Sequence, residues 1–326
     1  MNRPLNLKAA FIWAANRVAA DFPEKAGMLY VLSPEEDFYI SPAAADILKN
    51  SPCQVMPDIK MMKERMVREK NLGGMAKRIE VYALTPYFNV IMLPSGACDT
   101  KGGRRAYTPG EDAGDIDALS VLWHELGHLV VKGGMRLGHA SECAADAYAI
   151  INHLREFGAE TGIFNHFPFK AASVLAHGTS ASHYTSDVAR LVDAEIKQTD
   201  ISALSHIEIV TLAGSIAEKA REDDKKLRSL METFRPLQIW LADNSLVDAG
   251  ANDITPVKTP GYYKMLLTIM KNNPGDGDIA QVCADLISPW VDAGLLAARN
   301  GDKLWRDILS RTGIKGVRAE PSISPR

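Results

Sequence analysis

The chain has 326 residues, 46% of them hydrophobic and 24% charged, a composition that matches globular proteins and excludes the disordered, collagenous and disulfide-scaffold classes. Thirty-seven Lys and Arg against forty Asp and Glu leave a net charge of −3, so no overall field attracts nucleic acid or an anionic membrane, and neither is expected as a partner. Cys53, Cys98, Cys143 and Cys283 lie far apart without a CxxC pairing, which reads as the reduced thiols of a cytoplasmic protein.

Leu7, Ala10, Phe11, Ala14 and Val18 follow the spacing of one helical face, predicting a helix over about residues 5–21. Arg3 and Lys8 precede the apolar stretch Ala9–Ala15, but Asn16 and Arg17 interrupt it, so it reads as an amphipathic helix and not as a signal peptide. No apolar run approaches the roughly 18 to 20 residues that span a bilayer. Met28–Leu32 and Asp37–Ile40 are extended runs around the turn Ser33-Pro34-Glu35-Glu36, and a second hairpin pairs Arg78–Leu84 with Phe88–Leu93 around Thr85-Pro86. A small antiparallel sheet is expected. Between the hairpins, Ser41-Pro42 reads as an N-cap with Pro at the first helical position, and Asp58 to about Glu69 as a charged, Met-rich helix.

Glycines interrupt all periodicity from Ser95 to Gly114, which predicts a long loop, and no phosphate-cradling GxxxxGKS/T is present. Beyond it helices are expected near 115–132, 141–156, 186–199, 201–228, 262–272, 277–288 and 302–312, with the charge run Glu218–Arg228 as a solvated helix face. The last dozen residues read as a disordered tail. The fold class is therefore α+β.

Within the first of these helices, preceded by an N-cap at Asp115, stands His124-Glu125-Leu126-Gly127-His128, an HExxH motif. Positions four apart share a helix face, so both imidazoles can reach one zinc ion while Glu125 stands beside its water as general base. Eight histidines and forty acids produce this pattern by accident in roughly two chains per hundred of such composition, so the motif needs a third ligand. Ser141-Glu142-Cys143-Ala144-Ala145-Asp146 supplies one: Glu142 completes the zinc set, and Asp146, one turn on, accepts the free ring N–H of a ligand histidine. The turn Lys132-Gly133-Gly134-Met135 lets the chain reverse. Taken alone, both acids are equally readable as surface groups near a helix N-terminus. His139, in the connecting loop, competes as third ligand or faces substrate. His183, Tyr184 and His177, in a polar glycine-containing stretch, are candidate donors to a developing oxyanion, with loop and capping roles as their bland alternative. His153, His166 and His206 read as packing or surface residues, and Cys143 as a buried small side chain.

HELGH followed by ECAAD resembles the HExxH and ExxAD pair of the gluzincin metallopeptidases, over about residues 115–150. The resemblance implies a zincin-like fold, whose core is expected over residues 1–200; the sequence pattern adds a mostly helical region over 201–312 and a tail over 313–326. The resemblance also implies one Zn²⁺ per chain, a peptide or protein substrate, Glu125 as base, and Asp146 bonded to His124. It further implies a sheet-edge strand beside the active helix that holds extended substrate, for which Phe88–Leu93 is the candidate. Val131 and Gly134 occupy the places of the glycine and third histidine of the longer metzincin pattern, and the membrane-spanning helices of the membrane-protease type are missing, so a soluble intracellular relative is the nearer comparison. The alternative function is a non-catalytic zinc module whose helical C-terminal region binds a protein partner; a fourth protein ligand such as His139 would favour it.

Overall fold

A computed structural model of the chain describes residues 7–69, 74–81, 87–94, 114–134, 138–157, 162–178, 180–246 and 259–287. The fold is α+β, with twelve α-helices and a four-stranded sheet among those residues. The elements are α1 (Leu7–Asp21), α2 (Pro23–Ala26), β1 (Leu29–Leu32), β2 (Asp37–Ile40), α3 (Pro42–Asn50), α4 (Met56–Arg68), β3 (Met75–Ile79), β4 (Phe88–Met92), α5 (Gly114–Val130) and α6 (His139–Phe157). They continue with α7 (Gly162–His177), α8 (Ser186–Ile196), α9 (His206–Ala220), α10 (Asp224–Asp243), α11 (Pro260–Asn272) and α12 (Gly277–Asp285). Among the described residues no helix is long and apolar enough to cross a membrane. The expected helix at 302–312, the tail at 313–326, the turn Thr85-Pro86, and nearly all of the glycine loop with Cys98 lie outside the described residues.

The chain divides into two compact units, interleaved in sequence: Met1–Phe164 with Asp187–Glu222, and Asn165–Ser186 with Asp223–Arg326. In the first, the sheet runs β2-β1-β4-β3 and is mixed, correcting the antiparallel expectation: β1 pairs antiparallel with β2 but parallel with β4, and β3 pairs antiparallel with β4. Parallel neighbours need a crossover, here everything from β2 to β3. The two central strands are buried along their whole length, as strands covered on both faces must be. Met28, Tyr30, Leu32, Val90 and Met92 join Ile59, Met62 and Met66 of α4 in one apolar cluster. By the two-residue alternation of a strand, Leu29, Val31 and Ile91 face the other way, toward the side where α1 and α5 pack.

Phe88–Leu93 is consequently not an edge. It lies in the interior as β4, and the edge on its side of the sheet is β3, displaced from the predicted Arg78–Leu84 to Met75–Ile79. Ser41 caps α3 as expected, its hydroxyl accepting the N–H of Ala44 at 3.3 Å and of Leu29 at 3.1 Å, so one side chain joins a helix start to β1. The helix predicted over 201–228 is broken. Ser205 and Glu208 form a capping box at the start of α9, and Asp223 caps α10 by accepting the Lys226 N–H at 2.8 Å. The charge run therefore spans two helices and a link. The second unit holds most of α7, and α10 to α12; in α10, Leu227, Leu230, Phe234, Leu237 and Leu241 form the buried stripe.

Two cations fix the end of α5. Lys25 donates to Val130 O at 2.6 Å and Arg78, from the edge strand, to Leu129 O at 2.9 Å, satisfying carbonyls the helix leaves open where its dipole favours positive charge. Burial, and for Lys25 also the neighbouring Arg78, lowers both pKa values. Arg78 also donates to Asn89 Oδ1 at 3.3 Å, and the Asn89 amide donates to Lys25 O and Tyr87 O, both at 2.9 Å. Arg78→Met is expected to cost about 2 kcal/mol, because it removes charged hydrogen bonds and leaves buried acceptors unmatched; a lower urea midpoint at unchanged m-value is the readout.

Candidate metal centre

α5 and α6 pack against each other with little between them. Gly127 is the reason on α5: a Cβ there would stand 2.9 Å from Ala145 Cα and 3.1 Å from Tyr148 Cβ. On α6 the facing residues include Ala144 and Ala145, both fully buried. Leu122, Trp123, Leu126, Leu129 and Val130 are buried, while Val121, His124, Glu125 and His128 share the i, i+3, i+4, i+7 stripe of a single face. The turn after α5 requires glycine twice over: Gly133 has φ +88°, and a Cβ on Gly134 would come within 2.6 Å of His128 O. Tyr148 of α6 donates to His206 Nε2 at 2.7 Å, and Nδ1 of the same ring donates to Asp21 Oδ2 at 2.6 Å, joining α6 to the start of α9 and the end of α1. Burial lowers the pKa of His206.

This packing brings His124, His128 and Glu142 together, each with one ligand atom inside a 4.8 Å sphere of mutual distances. His124 Nε2 lies 3.1 Å from His128 Nε2 and 3.3 Å from Glu142 Oε2, and the third side of the triangle, His128 Nε2 to Glu142 Oε2, measures 3.7 Å. Tetrahedral zinc with bonds of about 2.0 to 2.2 Å separates its donors by about 3.3 to 3.6 Å. The three sides bracket those dimensions, one slightly shorter, one within them and one slightly longer.

The outer faces of the two rings are occupied. His124 Nδ1 donates to Asp146 Oδ1 at 2.7 Å, and His128 Nδ1 donates to Gly134 O at 2.7 Å with Ser141 Oγ at 3.0 Å. Ser141 itself donates to Gly134 O. Both Nε2 atoms therefore turn inward. Two imidazole nitrogens and a carboxylate oxygen meeting this closely call for positive charge among them, either a proton or a cation. Of the two rings, His124 is the one whose surroundings favour the protonated form. Burial works to lower its pKa, but the bonded Asp146 carboxylate, with Glu142 and Glu125, overrides that and holds it well above the ordinary imidazole value. Burial, and then the charge on His124, draw His128 down to about 4. The donor set fits a divalent cation taking that proton's place.

Glu125 follows His124 on the same helix, 5% exposed. His139 is not in the connecting loop but the first residue of α6; it is buried, accepts the Glu222 N–H at 3.0 Å, lies 3.5 Å from Cys143 Sγ, and takes no part in the cluster. Cys143 is fully buried, which pushes its thiol pKa far up and leaves it inert. His183 and Tyr184 belong to the second unit, His183 exposed at the end of the single-turn helix Ala181–His183 and Tyr184 buried just after it. His177, also there, donates from Nδ1 to Ser173 O at 2.8 Å. The side chains of Asp115 and His166 lie outside the described residues. Sequence reasoning passed over two holders of His128, Ser141 and the carbonyl of Gly134; the only signal was their place directly before Glu142 and in the Gly133-Gly134 turn.

Fold and site together define an α+β chain in which His124, His128 and Glu142, from two packed helices, form a three-donor cluster that could hold a metal ion. Comparison with protein-family models, with curated proteins and with solved structures gives no match.

Proposed function

We propose that the chain is a zinc-dependent peptidase with a zincin-like core of the gluzincin type, holding one Zn²⁺ through His124, His128 and Glu142. The observation that carries this reading is the inward convergence of three donor atoms 3.1 to 3.7 Å apart, with an acid next to the first of them. When bound, zinc lowers the pKa of a coordinated water from about 15.7 toward about 7 and polarises a substrate carbonyl. Glu125 then acts as general base, taking the proton of the attacking water and passing it to the leaving amine. Asp146 and the Gly134 carbonyl hold the two rings in the Nδ1–H form, so neither ligand has to reorient. The strand β3, packed against α5, has no further strand beside it among the described residues, which suits its outer edge to pairing with an extended peptide.

Among the described residues no fourth His, Cys, Asp or Glu joins the cluster, which favours a centre with a place for water over a purely structural one. Digestion of a peptide library by the zinc-loaded chain, compared with the same protein stripped by a chelator, tests the reading. Cleavage that disappears on stripping and returns with zinc is expected. One tightly bound zinc per chain without any cleavage would support the non-catalytic module instead.

A further inference from the structure

Gly74 immediately precedes β3, where the edge strand comes up against α5. Its φ lies outside the left-handed range that distinguishes Gly133, Gly138, Gly178 and Gly275, so no backbone conformation there demands glycine. The space does. A Cβ at this position would stand 2.6 Å from Glu125 Oε1, 3.0 Å from Glu125 Cγ and 2.9 Å from Val121 Cγ1.

We infer that Gly74 is a positioning residue for Glu125: its missing side chain is what allows the carboxylate to stand at its place on the rim of the metal cluster. The inference rests on the peptidase reading for its catalytic consequence, and on geometry alone for the placement. The strand has little freedom to retreat, because Met75 is in register with Met92 of the central strand and Arg78 is bonded to the end of α5. Val121 is one turn from Glu125 on the same helix, and its Cγ1 would crowd the same added atom. The mobile partner is the end of the Glu125 side chain, which must swing to another rotamer once a methyl group is present. Such a movement of a base by about 1 Å lowers turnover by about 10²-fold without touching the ligands.

The test is Gly74→Ala in the full chain, read in three ways. Crystals of the zinc-loaded variant are expected to show the Glu125 carboxylate displaced from its wild-type position. Zinc content is expected to equal that of wild type, while the urea midpoint is expected to fall modestly, since the added methyl also meets Val121 Cγ1 and the strand is held in place. On a peptide cleaved in the library digest, kcat is expected to fall about 10²-fold, whereas in a Glu125→Gln background the same substitution should leave the residual rate unchanged. An unmoved carboxylate overturns the inference whatever the rates. So does an equal loss in the Glu125→Gln background, or a loss that tracks lost zinc. If wild type cleaves nothing, the peptidase reading fails, and the crystal comparison still decides what Gly74 does to Glu125.

Discussion

Glu125→Gln is expected to leave one zinc bound per chain and to lower kcat by about 10²- to 10⁴-fold, the range that a positioned proton acceptor supplies. Glutamine has the shape of glutamate but no basic oxygen, so it can occupy the space opposite Gly74 without taking a proton from water. The three donor atoms are contributed by other side chains, and metal content should not follow the loss. The kinetic pattern is as informative as the size: a group that acts only in the transition state lowers kcat and kcat/KM together and leaves KM in place. Hydrolysis at the wild-type rate by the glutamine variant would remove Glu125 from the mechanism, and loss of zinc with the activity would make it structural.

The parts of the site that could be read from sequence are those governed by local periodicity. A helix places residues four apart on one face, so His124 and His128 had to be neighbours, and the small residues following Glu142 permit the close helix contact that the structure has. Ser41 was legible as a cap for the same reason, since capping is a relation within four residues. Pairing of distant strands is not local. Two short runs separated by a turn read as hairpins, but nothing in either run specifies that β1 takes β4 as a parallel neighbour, and that choice moved Phe88–Leu93 from the edge to the interior. Lys25, Arg78 and Gly74 escaped notice because each acts on α5 from about 50 to 105 positions away in the chain. The break before α10 was legible in principle, since Asp223 is a good cap residue, but the charges on either side made one continuous solvated face an equally good reading.

His128→Ala is expected to abolish stoichiometric zinc binding, and Asp146→Ala to weaken it by about 10- to 100-fold while keeping one site. The difference follows from what each side chain touches. His128 supplies one corner of the donor triangle, with its ring already fixed by Gly134 and Ser141; without it the remaining nitrogen and carboxylate cannot complete a three-ligand centre. Asp146 touches no donor position and acts through the Nδ1 of His124, so its removal frees the ring to rotate and weakens it as a ligand without taking it away. Zinc titration by calorimetry on the stripped chain separates the two cases. Thermal unfolding provides a second measure, because a ligand that binds only the folded state stabilises it by about 2.7 kcal/mol at a free concentration one hundred times Kd. Zinc should therefore raise the Tm of wild type clearly, that of Asp146→Ala less at the same concentration, and that of His128→Ala not at all. Acid should act in the same direction as the substitutions, since each ligand binds metal only when deprotonated. A wild-type chain whose Tm ignores zinc at neutral pH would mean that the triangle serves only to share a proton.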